Sequence, residues 1–380
     1  MPKVKFRCDV LKDNIAVATL DFLSCQIDCD KDAAIHRTAS FVVRDTSGVD
    51  LLKDKLRPVM SVWETAKSGY SWAEIESFGR SWEEIETLNY SWRQIEELST
   101  NSGYVDYPLG VFLPLSPTRT AGDGLPQEQI DAYDLCAVIR EDCLTDRMFI
   151  SAGTKYTDAI ANIIISTGIE NIETFPSDKT LTTDREYEIG RSKLDIANEL
   201  LSEINYRSAV ADANGVIVIS PYAQPALSGA KHVYRADGVS AIKPQITETA
   251  DYYNVPNVFI AMVSNPDLEQ DLIAVYTNND PSNKLSTIYR GRKIVSEIYQ
   301  PDGIASQDDL NAYVMRKAFE ASQIEQTVDI TTALNPMHGV GDIVFIDHPE
   351  ITGAFEEIRW SMTLDVNGDM SHTLRRIVTI

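Results

Sequence analysis

Apolar and polar positions alternate, or apolar residues run in short blocks, through most of residues 1–65. VKFRCDV, ATLDFLSCQID and TASFVVRD carry this pattern with polar turns between them, which predicts strands. YPLGVFLPLSPTR (Tyr107 to Arg119) returns to the strand pattern with prolines at its edges, and QIDAYDLCAVIRED continues it. The period then changes. From Thr157, DAIANIIISTG has helical spacing and stops at Gly168. A second helix follows Ser192, with Leu194, Ile196, Ala197, Leu200, Leu201 and Ile204 on the helical period and Asp195 three residues after the serine. YRSAVAD and VIVISPY flank Ala213-Asn214-Gly215, and Asn-Gly between two such runs predicts a hairpin. Beyond about 236 the chain reads as strands again (ITETADYYNVPNVFIAMVSN, DLIAVYTNND), interrupted by one helix from Ser306 to about Ser322. QTVDITTAL, GDIVFI, FEEIRWSMTLDV and MSHTLRRIVTI close the chain, the last two joined by Asn367-Gly368.

One stretch follows neither pattern. Residues 69–98 repeat a ten-residue unit three times, as SWAEIESFG, SWEEIETLN and SWRQIEEL. Ser71, Ser81 and Ser91 each precede Glu74, Glu84 or Gln94 by three residues, which is the spacing of a capping box. Trp72 and Ile75, Trp82 and Ile85, and Trp92 and Ile95 fall on one face of each unit. The reading is three helices of about two turns each, stacked through their Trp/Ile faces. Helices so short are unstable alone in water, so a host domain must hold them. Their glutamates occupy capping and solvent positions, which marks the repeats as a small structural array or docking surface rather than a site of chemistry.

The expected class is mixed β and α+β: two barrel-like β domains with a small α/β domain between them. The expected domains are 1–150, with the helical repeats inserted at 66–100; 151–235, the α/β unit; and 236–380, with a helical insertion near 281–323. A chain of 380 residues, 43% of them hydrophobic, has room for such a set of cores. MPKVKFRCDVLKDN is a strand-like start rather than a signal peptide, and no apolar run approaches the roughly 20 residues that span a bilayer. A soluble protein made in a cytoplasm, without a membrane anchor, is therefore expected. The net charge of −23 repels phosphate backbones and argues against a sequence-specific nucleic-acid reader. The same acidity suits a channel through which DNA slides without sticking.

Candidate chemistry is sparse. No nucleophile elbow, HExxH or P-loop is present, so no catalytic, cofactor or metal residue is assigned and no enzyme is expected. Cys8, Cys25, Cys29, Cys136 and Cys143 do not form a disulfide framework and read as buried thiols. Asp28, Asp30 and Asp32 resemble the start of a calcium loop, but Ala33 and Ala39 stand where that loop needs glycine and glutamate. His338, in NPMHGVGD, reads as a turn histidine. Gly190-Arg191-Ser192-Lys193 opens a helix where an anion could sit. Tyr206, Tyr222, Tyr252 and Tyr253 could line a sugar groove, or simply fill β cores.

LLSEINY, DANGVIVI, DYYNVPNVFIAM and ITTALNPMHGVGDIVFI, in this order and closed by a strand hairpin, resemble the baseplate hub, or tail-associated, proteins of bacteriophage tails and phage-tail-like contractile injection systems. The N-terminal stretch through YPLGVFLPLSPTR also looks like the first domain of such hubs, and repeated Trp-x-x-Ile units occur in tail proteins. The resemblance implies a homotrimer whose two β domains per subunit make a pseudo-sixfold collar. That collar would join the tail tube or distal tail protein to a threefold spike or fibre, among other baseplate proteins at the virion tail tip. In many such proteins a cell-wall hydrolase or fibre region follows the hub; here that activity is expected to be absent or to lie on another protein. Two other readings stand beside it: a carbohydrate- or surface-binding β protein, and a tail-associated cell-wall hydrolase.

Overall fold

The computed structural model describes residues 3–64, 103–120, 127–223, 229–235, 242–243, 245–250, 255–264, 271–301, 304, 306–323, 326–365 and 367–376. The alternating segments at the start become β1 (Val4–Lys12), β2 (Ile15–Leu20), β3 (Phe22–Asp30), β4 (Arg37–Val43) and β5 (Lys55–Glu64). β6 (Gly103–Pro108), β7 (Phe112–Thr120) and β8 (Gln127–Asp134) follow. The middle of the chain holds α1 (Cys136–Glu141), β9 (Met148–Ile150), α2 (Tyr156–Ile165), β10 (Ile172–Thr174), β11 (Arg185–Tyr187), α3 (Lys193–Glu203), β12 (Val210–Ala211) and β13 (Ile217–Ile219). The last part adds β14 (His232–Arg235), β15 (Thr247–Ala250), β16 (Val258–Val263), β17 (Leu272–Thr277), α4 (Thr287–Arg290), β18 (Val295–Tyr299) and α5 (Gln307–Gln323). It ends in β19 (Gln326–Ala333), β20 (Ile343–Asp347), β21 (Thr352–Thr363) and β22 (Asp369–Arg376).

The inner faces of the strands line up by register. Cys25 pairs with Phe41 and Ile27 with Ala39 between β3 and β4, and Phe41 pairs with Ile130 between β4 and β8. On the other side of β3, Cys29 pairs with Trp360 and Ile27 with Met362 of β21. All of these side chains are buried in one core. Because β21 continues the row begun by β3, strands from the two ends of the chain join one 14-stranded sheet. The two expected β regions thus meet in one sheet: among the described residues no sheet closes on itself, and the seam between β3 and β21 is a full antiparallel ladder. Ion pairs flank the seam. Arg359 donates to Asp30 Oδ2 at 2.9 Å, Arg375 to Asp32 Oδ2 at 2.9 Å, and Lys31 to Glu356.

Two α/β units attach to this sheet. In the first, α2 and α3 pack Ile160, Ile163, Ile164, Leu194, Ala197, Leu200 and Leu201 over the β10-β13-β12 sheet. Its core also includes Leu11 and Val111 from the large sheet. The Asn214-Gly215 turn is a contact point: Gly215 has φ +80°, and a Cβ there would lie 2.9 Å from Val111. The segment read as one strand, QIDAYDLCAVIRED, turns into helix at Cys136. The Asp134 carboxylate accepts the Cys136 and Arg37 amides at 2.8 Å each and so ends the strand.

In the second unit, β17, β16 and β18 form their own three-stranded sheet, where the sequence pattern places β16 and β17 in the second β domain. Leu310, Val314 and Ala318 of α5, spaced one helical turn apart, cover one face of it against Phe259, Ala261 and Ala274.

Trp360 tests the shared core. Trp360→Ala is expected to cost about 3–5 kcal/mol and to lower the urea midpoint of the whole chain in a single step. A loss below about 1 kcal/mol, or loss of the C-terminal half alone, would remove the seam from the core.

Candidate functional site

The repeat residues Trp72, Ile75, Trp82, Ile85, Trp92 and Ile95 lie outside the described residues. The chain leaves and re-enters the fold around them at one place. β5 and β6 are antiparallel neighbours, with Glu64 opposite Gly103 and Trp63 opposite Tyr104. The segment 65–102 therefore joins the two strands of a hairpin. Its root is an aromatic clamp: the Trp63 and Tyr104 rings meet edge to face at 5.1 Å, with Lys5 Nζ 4.0 Å above the Tyr104 ring and Lys3 near Trp63.

The most concentrated chemistry among the described residues lies where β21 passes from β20 to β3. A register shift there, between Glu357 and Arg359, turns the strand. The side chains of Glu357, His338 and His372 are fully buried. The two carboxylate oxygens of Glu357 each bond one histidine, Oε2 to His338 Nδ1 and Oε1 to His372 Nδ1. The outer ring nitrogens meet hydroxyls: His338 Nε2 lies 2.6 Å from the Tyr234 hydroxyl, and His372 Nε2 lies 2.8 Å from Thr332 Oγ1. His232 stacks on His338 with centroids 3.7 Å apart. Asp342 receives the Gly339 amide at 2.7 Å and the Lys231 ammonium at 2.9 Å, and so pins the turn that carries His338.

These three residues are also the donor set that could hold a metal ion, with donor atoms all within 4.8 Å of one another. As arranged, the cluster is a closed hydrogen-bond network: with Glu357 ionised each Nδ1–H donates to the carboxylate, and the outer ring nitrogens face the Tyr234 and Thr332 hydroxyls. Burial raises the Glu357 carboxyl, and the bonds from His338 and His372 more than reverse this, leaving it below the usual carboxylate range. Burial also lowers His338 despite the neighbouring carboxylate, so its ring stays neutral. The cluster is suited to holding β14, β19, β21 and β22 together, not to meeting a substrate.

His338 thus belongs to the core, which the turn signal around it did not show. The aspartates of the calcium-like segment are taken up at the seam, Asp30 and Asp32 by arginines and Asp28 by Gln26 at 3.1 Å. The start of α3 is closed as an anion site: Lys193 bonds Asp142 and Arg191 bonds Glu199, each at 2.6 Å. Ser192 stands at the N-cap position without a side-chain cap bond. Tyr206 is buried and donates to the carbonyls of Phe175 and Pro176, while Tyr252 and Tyr253 lie outside the described residues. Cys8, Cys25, Cys29 and Cys136 are buried thiols and Cys143 is exposed. Burial pushes Cys8 and Cys29 up to about 12.

His36 and His338 set the acid behaviour of the histidines. Burial, and then Arg207, lowers His36 from 6.5 to about 4. Above pH 6.5 folded and unfolded chains are both neutral there; below it the unfolded chain takes up protons that the folded one refuses. Stability is therefore expected to fall from about pH 6.5 toward 4, with Glu357 adding a further loss below its ordinary value of 4.5. Urea midpoints against pH will show this limb, and His36→Gln should make it shallower, with His338 carrying the rest. A level wild-type profile between pH 7 and 5 would contradict the assignment.

No family model matches the chain, and no curated protein matches it in sequence. Solved structures do match along the whole length. A tail protein from Neisseria meningitidis MC58 aligns with TM-score 0.66 at 11% identity, over 98% of this chain and 96% of its own. The 43 kDa tail protein of prophage MuSo2 from Shewanella oneidensis aligns with TM-score 0.62 at 9% identity, over 98% of each chain. The prophage tail protein gp18 from Listeria monocytogenes EGD-e aligns with TM-score 0.55 at 12% identity, over 97% of this chain and 94% of its own. The large sheet with its two attached α/β units is thus the fold of phage tail proteins.

Proposed function

We propose that this chain is a non-enzymatic structural subunit of a phage tail or phage-like injection machine, and that it forms the trimeric hub ring of the baseplate. The ring would join the sixfold tail tube or distal tail protein to a threefold spike or fibre and line the conduit between them. The observation that carries this reading is the end-to-end match with tail proteins of nearly the same length, which leaves only a few per cent of either chain unmatched. The acidity fits a conduit, because a wall of like charge lets DNA pass without binding it. The densest polar cluster is sealed inside the sheet, where it strengthens a scaffold.

The Trp-repeat segment is an appendage in this reading. Its ends meet at one rung of the β5–β6 ladder, so the sheet can close beneath it whatever it contains. We assign it to docking another baseplate component through Trp72, Ile75, Trp82, Ile85, Trp92 and Ile95.

Single-particle electron microscopy of the purified protein at high concentration is expected to show threefold rings with six peripheral lobes and a central opening. Compact single copies at every concentration would remove a self-assembling hub. Deleting residues 69–99 is expected to leave the urea transition in place and weaken one partner contact in tail assembly. Normal tails from the deletion strain would end the docking role.

A further inference from the structure

Both faces of the β17-β16-β18 sheet are apolar. Register puts Phe259, Ala261, Ala274 and Tyr299 on the face that α5 covers. It puts Ile260, Met262, Ile273, Val275, Val295 and Ile298 on the other. On that second face Ile273, Val275, Val295 and Ile298 are 53–58% exposed. A strand that runs apolar on both faces is the pattern of a sheet covered on both sides. A contiguous aliphatic patch of this kind marks an interaction surface.

At the end of the sheet that holds Val295, the chain builds a rigid basic knob. Residues 284–293 include Lys284, Arg290, Arg292 and Lys293 and no acid, in a chain of net charge −23. Among the described residues no carboxylate pairs with Lys284, Arg292 or Lys293. The knob is held from beneath. The fully buried Asn257 donates to the carbonyls of Leu285 and Arg292 and accepts the Ile294 amide at 2.8 Å. Ser286 caps α4, Gly291 ends it at φ +63°, and Arg290 Nη1 donates to the Val255 carbonyl at 2.9 Å. This frame presents Ile288 and Tyr289 to solvent at 58% and 61% exposure. Rigid, exposed tyrosine beside unpaired arginine and lysine is the make-up of a binding hot spot.

We propose that the open face and its knob dock onto an adjacent copy of this chain. The knob's cations would meet carboxylates on the neighbour, and the aliphatic face would form the dry centre of the contact. Charge complementarity selects this occupant. The surface of this chain is rich in the carboxylates that the knob lacks, so a second copy supplies the matching partner. A twofold contact would set knob against knob, basic on basic, so the contact is head-to-tail, the type that closes into rings. The inference rests on the ring reading above and names one surface for it.

The test is sedimentation equilibrium of the full chain at low and high salt. Two exposed-site variants accompany the wild type: Lys284→Glu/Arg292→Glu/Lys293→Glu, and Val275→Asp/Ile298→Asp. Urea transitions check that both fold. The wild type should associate; the charge-reversed triple should raise the dissociation constant at least about tenfold and lose its salt dependence. The aliphatic pair should be monomeric at all salts. A monomeric wild type overturns the inference. Threefold oligomers that both variants leave intact overturn it too, while the ring reading survives through another surface. An oligomer of different symmetry, lost in both variants, sustains this surface and removes the threefold hub. Binding of a short DNA duplex or anionic vesicles by the wild type, abolished in the triple and without self-association, would reassign the knob to phosphate and overturn the proposal.

Discussion

The fold turns on a carboxylate in its interior. Glu357 lies where β21 gives up β20 as a neighbour and takes β3, and a register shift marks the place. An ionised carboxylate buried without partners would be too costly to persist. Here each oxygen has its own imidazole, and the imidazoles are anchored by hydroxyls on two further strands. Satisfying that one group therefore fixes the relative placement of β14, β19, β21 and β22. Immediately beyond it, Trp360 and Met362 extend the row of Cys29 and Ile27 and join the two ends of the chain. The polar centre sets the register, and the apolar row next to it supplies the burial.

This arrangement suits a part that works by holding its shape. The large sheet acts as a frame; the first α/β unit shares its core with Leu11 and Val111, and the second has a core of its own. They also touch each other: Lys179 reaches Asp309 at 2.6 Å and Arg316 reaches the Tyr206 carbonyl. The repeat segment enters and leaves at one rung of a hairpin, so a surface module can be carried without breaking a ladder. Acid is spread over the chain but absent from residues 284–293, next to the exposed aliphatic face of the β17-β16-β18 sheet.

Much of this was legible in local pattern. The alternating segments became strands, the helices at 156–165, 193–203 and 307–323 fell where periodicity placed them, and both Asn-Gly turns join antiparallel strands. Gly368 is required there, since a side chain would run into the Thr363 carbonyl. Local pattern failed at Cys136, where Asp134 converts a strand into a helix start through two hydrogen bonds, one of them from distant Arg37. It failed at His338, whose surroundings read only as a turn before a strand. Its partners Glu357, His372 and Tyr234 are 19 to 104 residues away in sequence or lie on other strands, so no spacing could announce them.

The sequence by itself determined the β-rich class, the presence of α/β units, the acidic balance and the threefold Trp-x-x-Ile repeat, because each is written in neighbouring residues. Only the tertiary structure decided that the two β regions share one sheet, that the histidines gather on one carboxylate, and that β16 to β18 stand apart with one apolar face open. Those outcomes depend on which strands pair across hundreds of residues. Strand pairing is chosen by the register that buries the most apolar surface while leaving no polar group unmatched, and that is a property of the whole chain.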